Sequence, residues 1–337
     1  YINLIDDEYN KNLNFLKTKL DTIIGDSFDY ENDAFNEFYL HILSKGESNF
    51  NKIIDNDYKK KYHVIPTYNY DLQVPIKEHL YNKKSEYQLI SVLDTDKLGK
   101  VLVIDGDFQF SEKDEHIYHE MMAHVPINYF ENNINKLIIG GGDGGIARES
   151  LKHNNIIKID LVDIDKEVVE VSKKYFPKIS SSYDNPKLEL TIGDGMKFVE
   201  STNNKYDIIS LDLTDYNQSD DLRNPSFYKK LKKIMTEKSL IVWNFTNIEE
   251  DSPFIDILSK IKNDFKYMEC YNTTIQSFGG GTYTFCLLSD TIDIKNKKID
   301  WNLYKSKNIE SKYYSPKIHL SSFIFPKSIE DKLAKIH

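Results

Sequence analysis

Arginine is nearly absent from this sequence: of 337 residues only Arg148 and Arg223 are arginine, and the remaining positive charge is lysine. With 44 Lys+Arg against 53 Asp+Glu the formal net charge is −9, which argues against a binder of nucleic acid or an anionic membrane, since both need a basic face. A cationic or neutral small partner suits that balance better. Cysteine is limited to Cys270 and Cys286, too few for a disulfide scaffold and in keeping with a reducing, cytoplasmic setting. No apolar run reaches the length of a membrane span, and there is no internal repeat or low-complexity tract. The chain opens on Tyr1 and not on Met, which leaves a preceding targeting segment open. What is plentiful is aromatic, with 23 Tyr and 18 Phe beside 40% hydrophobic and 29% charged residues. That is globular composition, long enough for about two domains.

Three regions follow from the pattern. Residues 1–61 read as a helical N-terminal extension, with Leu13, Leu16, Leu20, Ile23 and Ile24 on one helical face and Phe35, Phe38, Tyr39, Ile42 and Leu43 on a second. Residues 62–130 read as a small β-strand domain: "EYQLISVLDT" and "KVLVIDGDFQFS" are strand-like runs joined around Gly99. A helix then follows, lined by Ile117, Met121 and His124. From 131 to 337 strands and helices alternate, with parallel strands expected at 136–139, 158–162, 188–192, 207–211 and 240–245 and helices at 166–175 and 225–236. A late antiparallel pair, 267–274 and 282–288, closes the sheet. This is α/β architecture: a class I methyltransferase-like Rossmann domain with a mostly parallel seven-stranded sheet.

Chemistry-bearing residues collect where those strands end. "KLIIGGGDGGIARESLKH" runs from a buried strand through Gly140, Gly141, Gly142, Asp143, Gly144 and Gly145 into a helix, glycines that let the backbone turn sharply and approach a ligand. Asp143 stands where a dinucleotide loop would hold phosphate; a carboxylate there repels an anion and suits a cation. Asp163, twenty-one residues past Gly142, closes the second strand in the usual place for an acid that accepts from ribose hydroxyls, with Asp165 the competing candidate or a helix cap. Asp194 and Gly195 close the third strand, within reach of an adenine amino group, and Asp212 and Asp215 follow the fourth. Four successive strand ends carry acids and none carries Lys or Arg, which describes a pocket for something positive. Methyl transfer from S-adenosylmethionine is compatible with the fold, but the methionine carboxylate of that cofactor would face Asp143 with no arginine to offset it. A decarboxylated cofactor fits better.

Several segments together resemble the polyamine aminopropyltransferases, the spermidine, spermine and thermospermine synthases: "EYQ" (86–88), "GKVLVIDGDFQ" (99–109), "DEHIYHEM" (114–121), "GGGDGG", "DLTD" (212–215) and a tail "KYYSPKIHLSSFIFP". The resemblance implies decarboxylated S-adenosylmethionine as co-substrate, no permanently bound cofactor and no metal, a polyamine as small-molecule partner, and a homodimer. It implies that Gln88, His119, Gly140, Gly142, Asp143, Asp163, Asp194 and Gly195 hold the nucleoside co-substrate, with Asp143 on its ammonium. It implies that Tyr118, Gln109, Asp212, Asp215 and Phe278 hold the acceptor, with Asp212 taking the proton and Tyr118 assisting. Zinc is the competing reading of His116, His119 and Glu120, but their spacing matches neither HExxH nor HxxEH.

Departures from the diamine-using pattern point to the acceptor. The loop reads Asp212-Leu213-Thr214-Asp215-Tyr216 and the later segment Gln276-Ser277-Phe278-Gly279, where Phe278 lacks a tyrosine hydroxyl. Both resemble thermospermine and spermine synthases, so spermidine is the expected acceptor. Putrescine, a methyltransferase on the same fold, and a catalytically impaired polyamine-binding regulatory homologue are the alternatives.

Overall fold

A computed structural model describes residues 62–66, 71–213, 224–247, 253–278 and 282–336. The expected N-terminal helices, Thr214–Tyr216 with Asp215, and Gly279 to Gly281 lie outside the described residues.

Five strands, β1 (Tyr62–Pro66), β2 (Asp71–Lys84), β3 (Leu89–Thr95), β4 (Gly99–Ile104) and β5 (Asp107–Ser111), form an antiparallel sheet in sequence order. Helix α1 (Glu115–Ile127) leads out of it into β6 (Ile134–Gly140), α2 (Gly145–Leu151), β7 (Ile156–Asp163), α3 (Lys166–Tyr175) and β8 (Leu188–Ile192). After α4 (Gly195–Ser201) come β9 (Tyr206–Asp212), α5 (Pro225–Ile234), β10 (Met235–Asn247), α6 (Pro253–Ile261), β11 (Tyr267–Thr274) and β12 (Thr282–Ser289), then α7 (Trp301–Ser306), α8 (Pro316–Ser322) and α9 (Lys327–Leu333). The large sheet has seven strands in the order β11-β12-β10-β9-β6-β7-β8. Neighbours from β10 to β8 are parallel, and β12 runs antiparallel to both β10 and β11. The second half of the central strand β6, Leu137 to Ile139, is wholly apolar and buried, as expected of a strand covered on both faces.

Local chemistry explains the element ends. Asp165 caps α3 through Glu167 N at 2.9 Å, and Val168, Val169 and Val171 line the buried side of that helix. Asn224 caps α5 with Pro225 in its first turn, the arrangement in which a missing proline N–H costs nothing. The small sheet packs on α3: Ile90, Val92, Leu102, Ile104 and Phe110 share a core with Val168, Val171, Phe176 and Ile179.

Helix α1 buries Met121 and His124 as expected, with Ile117 partly buried against the same core, but the burial goes further: every residue from Tyr118 to Ile127 is inside. The cause is tertiary: α1 touches α2, β9, β10 and β11, so it has no solvent side over most of its length. Glu120, fully inside, accepts the backbone N–H of Lys312 at 2.7 Å, Tyr313 at 2.8 Å and Tyr314 at 2.6 Å. Three N–H donors on one carboxylate leave it no call for a metal. Glu120→Ala strips all three of their partner, and we expect a loss of about 3 kcal/mol, read as a melting point lower by several degrees. An unchanged melting curve would show that water replaces the carboxylate at no cost.

Candidate active site

The glycine loop is shaped by what surrounds it. Gly140 has φ +83°, and a Cβ there would stand 1.9 Å from the carbonyl oxygen of Asp212. The loop therefore hugs the end of β9, and only glycine permits it. At Gly145 an added Cβ would lie 2.4 Å from the His119 ring, so α2 starts hard against α1. Gly142 donates its N–H to Asp163 Oδ2 at 2.8 Å.

Four alternating charges run inward along these contacts. Arg148 donates to Glu115 at 2.8 and 3.1 Å, Glu115 meets His119 Nδ1 at 2.6 Å, and His119 Nε2 meets Asp143 Oδ1 at 3.1 Å. Burial opposes a charge on His119, but Asp143 and Glu115 outweigh it and raise its pKa to about 10. His119 is therefore an imidazolium at neutral pH. Burial likewise pushes Glu115 up, while His119 and Arg148 pull it down to about 2. Asp143 also accepts from Gly145 N at 2.6 Å, again on Oδ1.

Asp212 ends β9, and the Tyr118 hydroxyl donates to its Oδ1. Desolvation and the nearby Asp143 raise the Asp212 pKa to about 7, against the lowering effect of Tyr118 and His119. Burial and the Asp212 charge hold the Tyr118 phenol well above its ordinary value. Around Tyr118 stand Phe278, Tyr283 and Phe285, with ring centroids 6.2, 5.6 and 5.6 Å away. A carboxylate and a phenol thus face a wall of aromatic rings, an arrangement suited to an aliphatic chain bearing positive charge.

Along the neighbouring strand ends, Asp163 accepts Gly142 N and Asp165 N, both at 2.8 Å, and burial lifts its pKa to about 6. Asp194 caps α4 through Met196 N at 2.8 Å, and Gly195 is small because a Cβ would strike Ile139 at 2.5 Å. Beyond these acids Ile164 and Ile192 expose apolar surface, 43% and 42% of their area.

The same chain regions match known proteins. Residues 115–298 match the spermine/spermidine synthase domain and residues 63–112 the spermidine synthase tetramerisation domain. The chain belongs to the spermine/spermidine synthase family. A polyamine aminopropyltransferase of Thermoanaerobacter sp. (strain X514) is 38% identical over 270 residues, 78% of this chain and 94% of that one. Another from Clostridium kluyveri is 38% identical over 263 residues, 76% and 92% of the two chains. Among solved structures, spermidine synthase in complex with the transition-state analogue AdoDATO is 30% identical, with a TM-score of 0.78 over 81% of this chain and 95% of its own. The chain is thus a transferase of the aminopropyltransferase type.

Within this chain, Tyr118, His119, Asp143 and Asp212 come together through direct contacts, and Phe278 joins them through Tyr118. Gly140 and Gly142 join Asp212 and Asp163 to the loop. Gln88 is bound to Asp165 (Nε2 to Oδ2, 3.0 Å), which also takes Ser85 Oγ at 2.5 Å; its link to Asp163 is indirect, through Asp165, whose backbone N–H binds Asp163. Gln109 falls at a register shift between Phe108 and Phe110 and donates to Asp107 O at 3.2 Å. No group of three His, Cys, Asp or Glu among the described residues could hold a metal, and no described helix is long and apolar enough to cross a membrane.

Two residues escaped the sequence reading. Tyr283 on β12 completes the aromatic wall. Asn244 on β10 grips Leu213 from both sides, accepting its N–H at 3.2 Å and donating to its carbonyl at 3.1 Å, and so fixes the chain directly after Asp212. Neither has a local sequence signal, since each acts through the register of neighbouring strands.

Proposed function

We propose that this aminopropyltransferase moves the aminopropyl group of decarboxylated S-adenosylmethionine onto a polyamine, with spermidine the first-choice acceptor, and releases 5′-methylthioadenosine. The observation that carries the reading is the Asp212–Tyr118 pair set against an aromatic wall.

An aliphatic amine has a pKa near ~10 and reaches the site as a cation. An aspartate at its ordinary 3.8 would be a poor proton acceptor for it, whereas Asp212 at about 7 halves the mismatch. The amine nitrogen attacks the methylene carbon bonded to the sulfonium sulfur. As the C–N bond forms the C–S bond breaks, its electron pair stays on sulfur, and the sulfur leaves as a neutral thioether. The surplus proton on nitrogen passes to Asp212. Tyr118 orients the carboxylate, and the rings fix the line of approach, the main source of rate in such a displacement. On the co-substrate side Asp143 offers Oδ2 to the ammonium of the aminopropyl group being transferred, Asp163 reaches the ribose and Asp194 the adenine, whose faces meet Ile164 and Ile192. Asp215 is assigned to the distal ammonium of the acceptor. Residues 63–112 are the segment through which copies of the chain would assemble, and light scattering separates dimer from tetramer.

A second reading, putrescine as acceptor, rests on Tyr283. It brings a hydroxyl to the same wall on which Phe278 has none, with the two ring centroids 5.3 Å apart. Mass spectrometry with decarboxylated S-adenosylmethionine and a panel of putrescine, cadaverine, agmatine, spermidine and norspermidine decides between them. A tetraamine formed from spermidine at the highest kcat/KM is the expected result. Spermidine formed preferentially from putrescine would hand acceptor choice to Tyr283, and amine binding without any product would indicate a regulatory homologue.

A further inference from the structure

Asp114 stands at the N-cap position of α1, where an aspartate ordinarily accepts a backbone N–H of the first helical turn. It makes no such bond. The residue is only 6% exposed and its carboxylate is committed elsewhere: Oδ1 accepts Ser111 Oγ at 2.6 Å and Ser277 Oγ at 2.8 Å, and Oδ2 accepts Ser277 N at 2.9 Å. Ser277 is the middle residue of the 3-10 turn Gln276–Phe278, so both its backbone and its side chain are pinned to the foot of the helix that carries Tyr118, four residues on. Phe278, next in the chain, places its ring against Tyr118 and Tyr283. A buried carboxylate turned away from its own helix costs desolvation and forgoes a cap. It gains instead a rigid link between two walls of one pocket.

We infer that Asp114 is a positioning residue for acceptor choice: by clamping Ser277 it holds Phe278 at a fixed distance from Tyr118 and so sets the length of amine that the site accepts. The inference rests on the aminopropyl-transfer reading and adds to it a residue that touches neither substrate. The two Ser277 bonds fix position and angle together, which one contact alone would not.

The test uses Asp114→Ala, Asp114→Asn and Ser277→Ala in the full-length protein. Steady-state kinetics are measured for each substrate with spermidine and with putrescine, and amine binding by calorimetry in the presence of methylthioadenosine. Asp114→Ala is expected to raise the KM for the preferred amine about tenfold, the value of one charge-assisted bond. It should leave the KM for decarboxylated S-adenosylmethionine within about twofold, and narrow the preference between the two amines by a similar factor. Asp114→Asn can still accept Ser277 N and restores the wild-type preference. Ser277→Ala, which loses one of the two bonds and leaves the fold intact, falls between. An unchanged amine preference in both alanine variants overturns the inference, as does an equal loss of affinity for both substrates. Wild-type protein that binds spermidine yet forms no product overturns the transfer reading alone, because the calorimetric comparison of Asp114 variants still decides the clamp. Wild-type protein that binds no amine overturns both.

Discussion

Asp212→Asn is expected to lower kcat about a thousandfold while leaving the affinity for decarboxylated S-adenosylmethionine nearly unchanged, since a positioned proton acceptor contributes between 10² and 10⁴. Asn keeps an oxygen for the Tyr118 hydroxyl, so the pocket should hold its shape. The wild-type enzyme should show kcat/KM for the amine falling below about pH 7, where Asp212 becomes protonated, and the residual activity of the variant should not show that limb. Stability should move the other way. The folded-state pKa of Asp212 lies above its ordinary 3.8. Stability from this group is therefore fully present below that value and is lost as pH rises through about 7. At pH 8 the wild-type protein holds an ionised carboxylate that the fold disfavours, and Asn removes that cost. The melting point of Asp212→Asn should therefore exceed the wild type by more at pH 8 than at pH 5. Undiminished turnover would remove Asp212 from the chemistry; equal melting curves at pH 8 would remove the raised pKa.

Gly140→Ala is expected to be the most damaging single change in the glycine loop. At φ +83° any Cβ is strained, and here it would also meet a backbone carbonyl at 1.9 Å that belongs to Asp212 itself. A flexible side chain could move aside; the end of a central parallel strand cannot. Gly106→Ala separates the two effects, because φ is +98° there and nothing lies within 4 Å of the added carbon. Gly106→Ala should cost about 1–2 kcal/mol from backbone strain alone. Gly140→Ala should cost several kcal/mol more or yield no soluble protein, as judged by urea titration and thermal melting. Similar losses in the two variants would mean that β9 yields to the methyl group, and that the loop is held less tightly against Asp212 than its geometry indicates.

The sheet was legible because its signals are local and agree with one another. The expected helix at 166–175 has the observed bounds of α3, since Asp165 is a strong cap and the valines repeat at helical spacing. The late antiparallel pair was marked by alternating runs around a glycine cluster. The central strand of the pair β9 and β10 was found, but β10 begins at Met235, where the sequence suggested that the preceding helix continued. Its first residue pairs with Tyr206 before a register shift, a long-range pairing with no local mark. Helix α1 was recognised with Met121 and His124 inside, but its enclosure on several sides was not, because such a helix places polar residues such as Glu120 in the interior as well. At the site, the acids at the strand ends were visible through the architecture alone: a parallel sheet delivers its C-terminal ends to one place. Tyr283 and Asn244 were not, nor was the reach of Asp114 to Ser277, since each depends on which residues of separate elements come opposite one another. The charge on His119 was equally hidden, for it needs Glu115 one turn away on its own helix and Asp143 on another segment.

Glu120 has a consequence for the order in which the protein is made. The three N–H groups it accepts come from residues 192 to 194 positions later in the chain. At translation rates of about 5–20 residues per second, helix α1 leaves the ribosome ten seconds or more before its anchoring partners exist. During that interval the helix bearing Tyr118 and His119 carries a carboxylate destined for the interior and still open to water. The strands around it can pair in the meantime, but the pocket cannot take its final form until 312–314 arrive. Assembly of the reaction centre is thus a late event in folding, governed by a contact of very long sequence separation, and a nascent chain halted before that point would present a nearly finished sheet around an unfinished site.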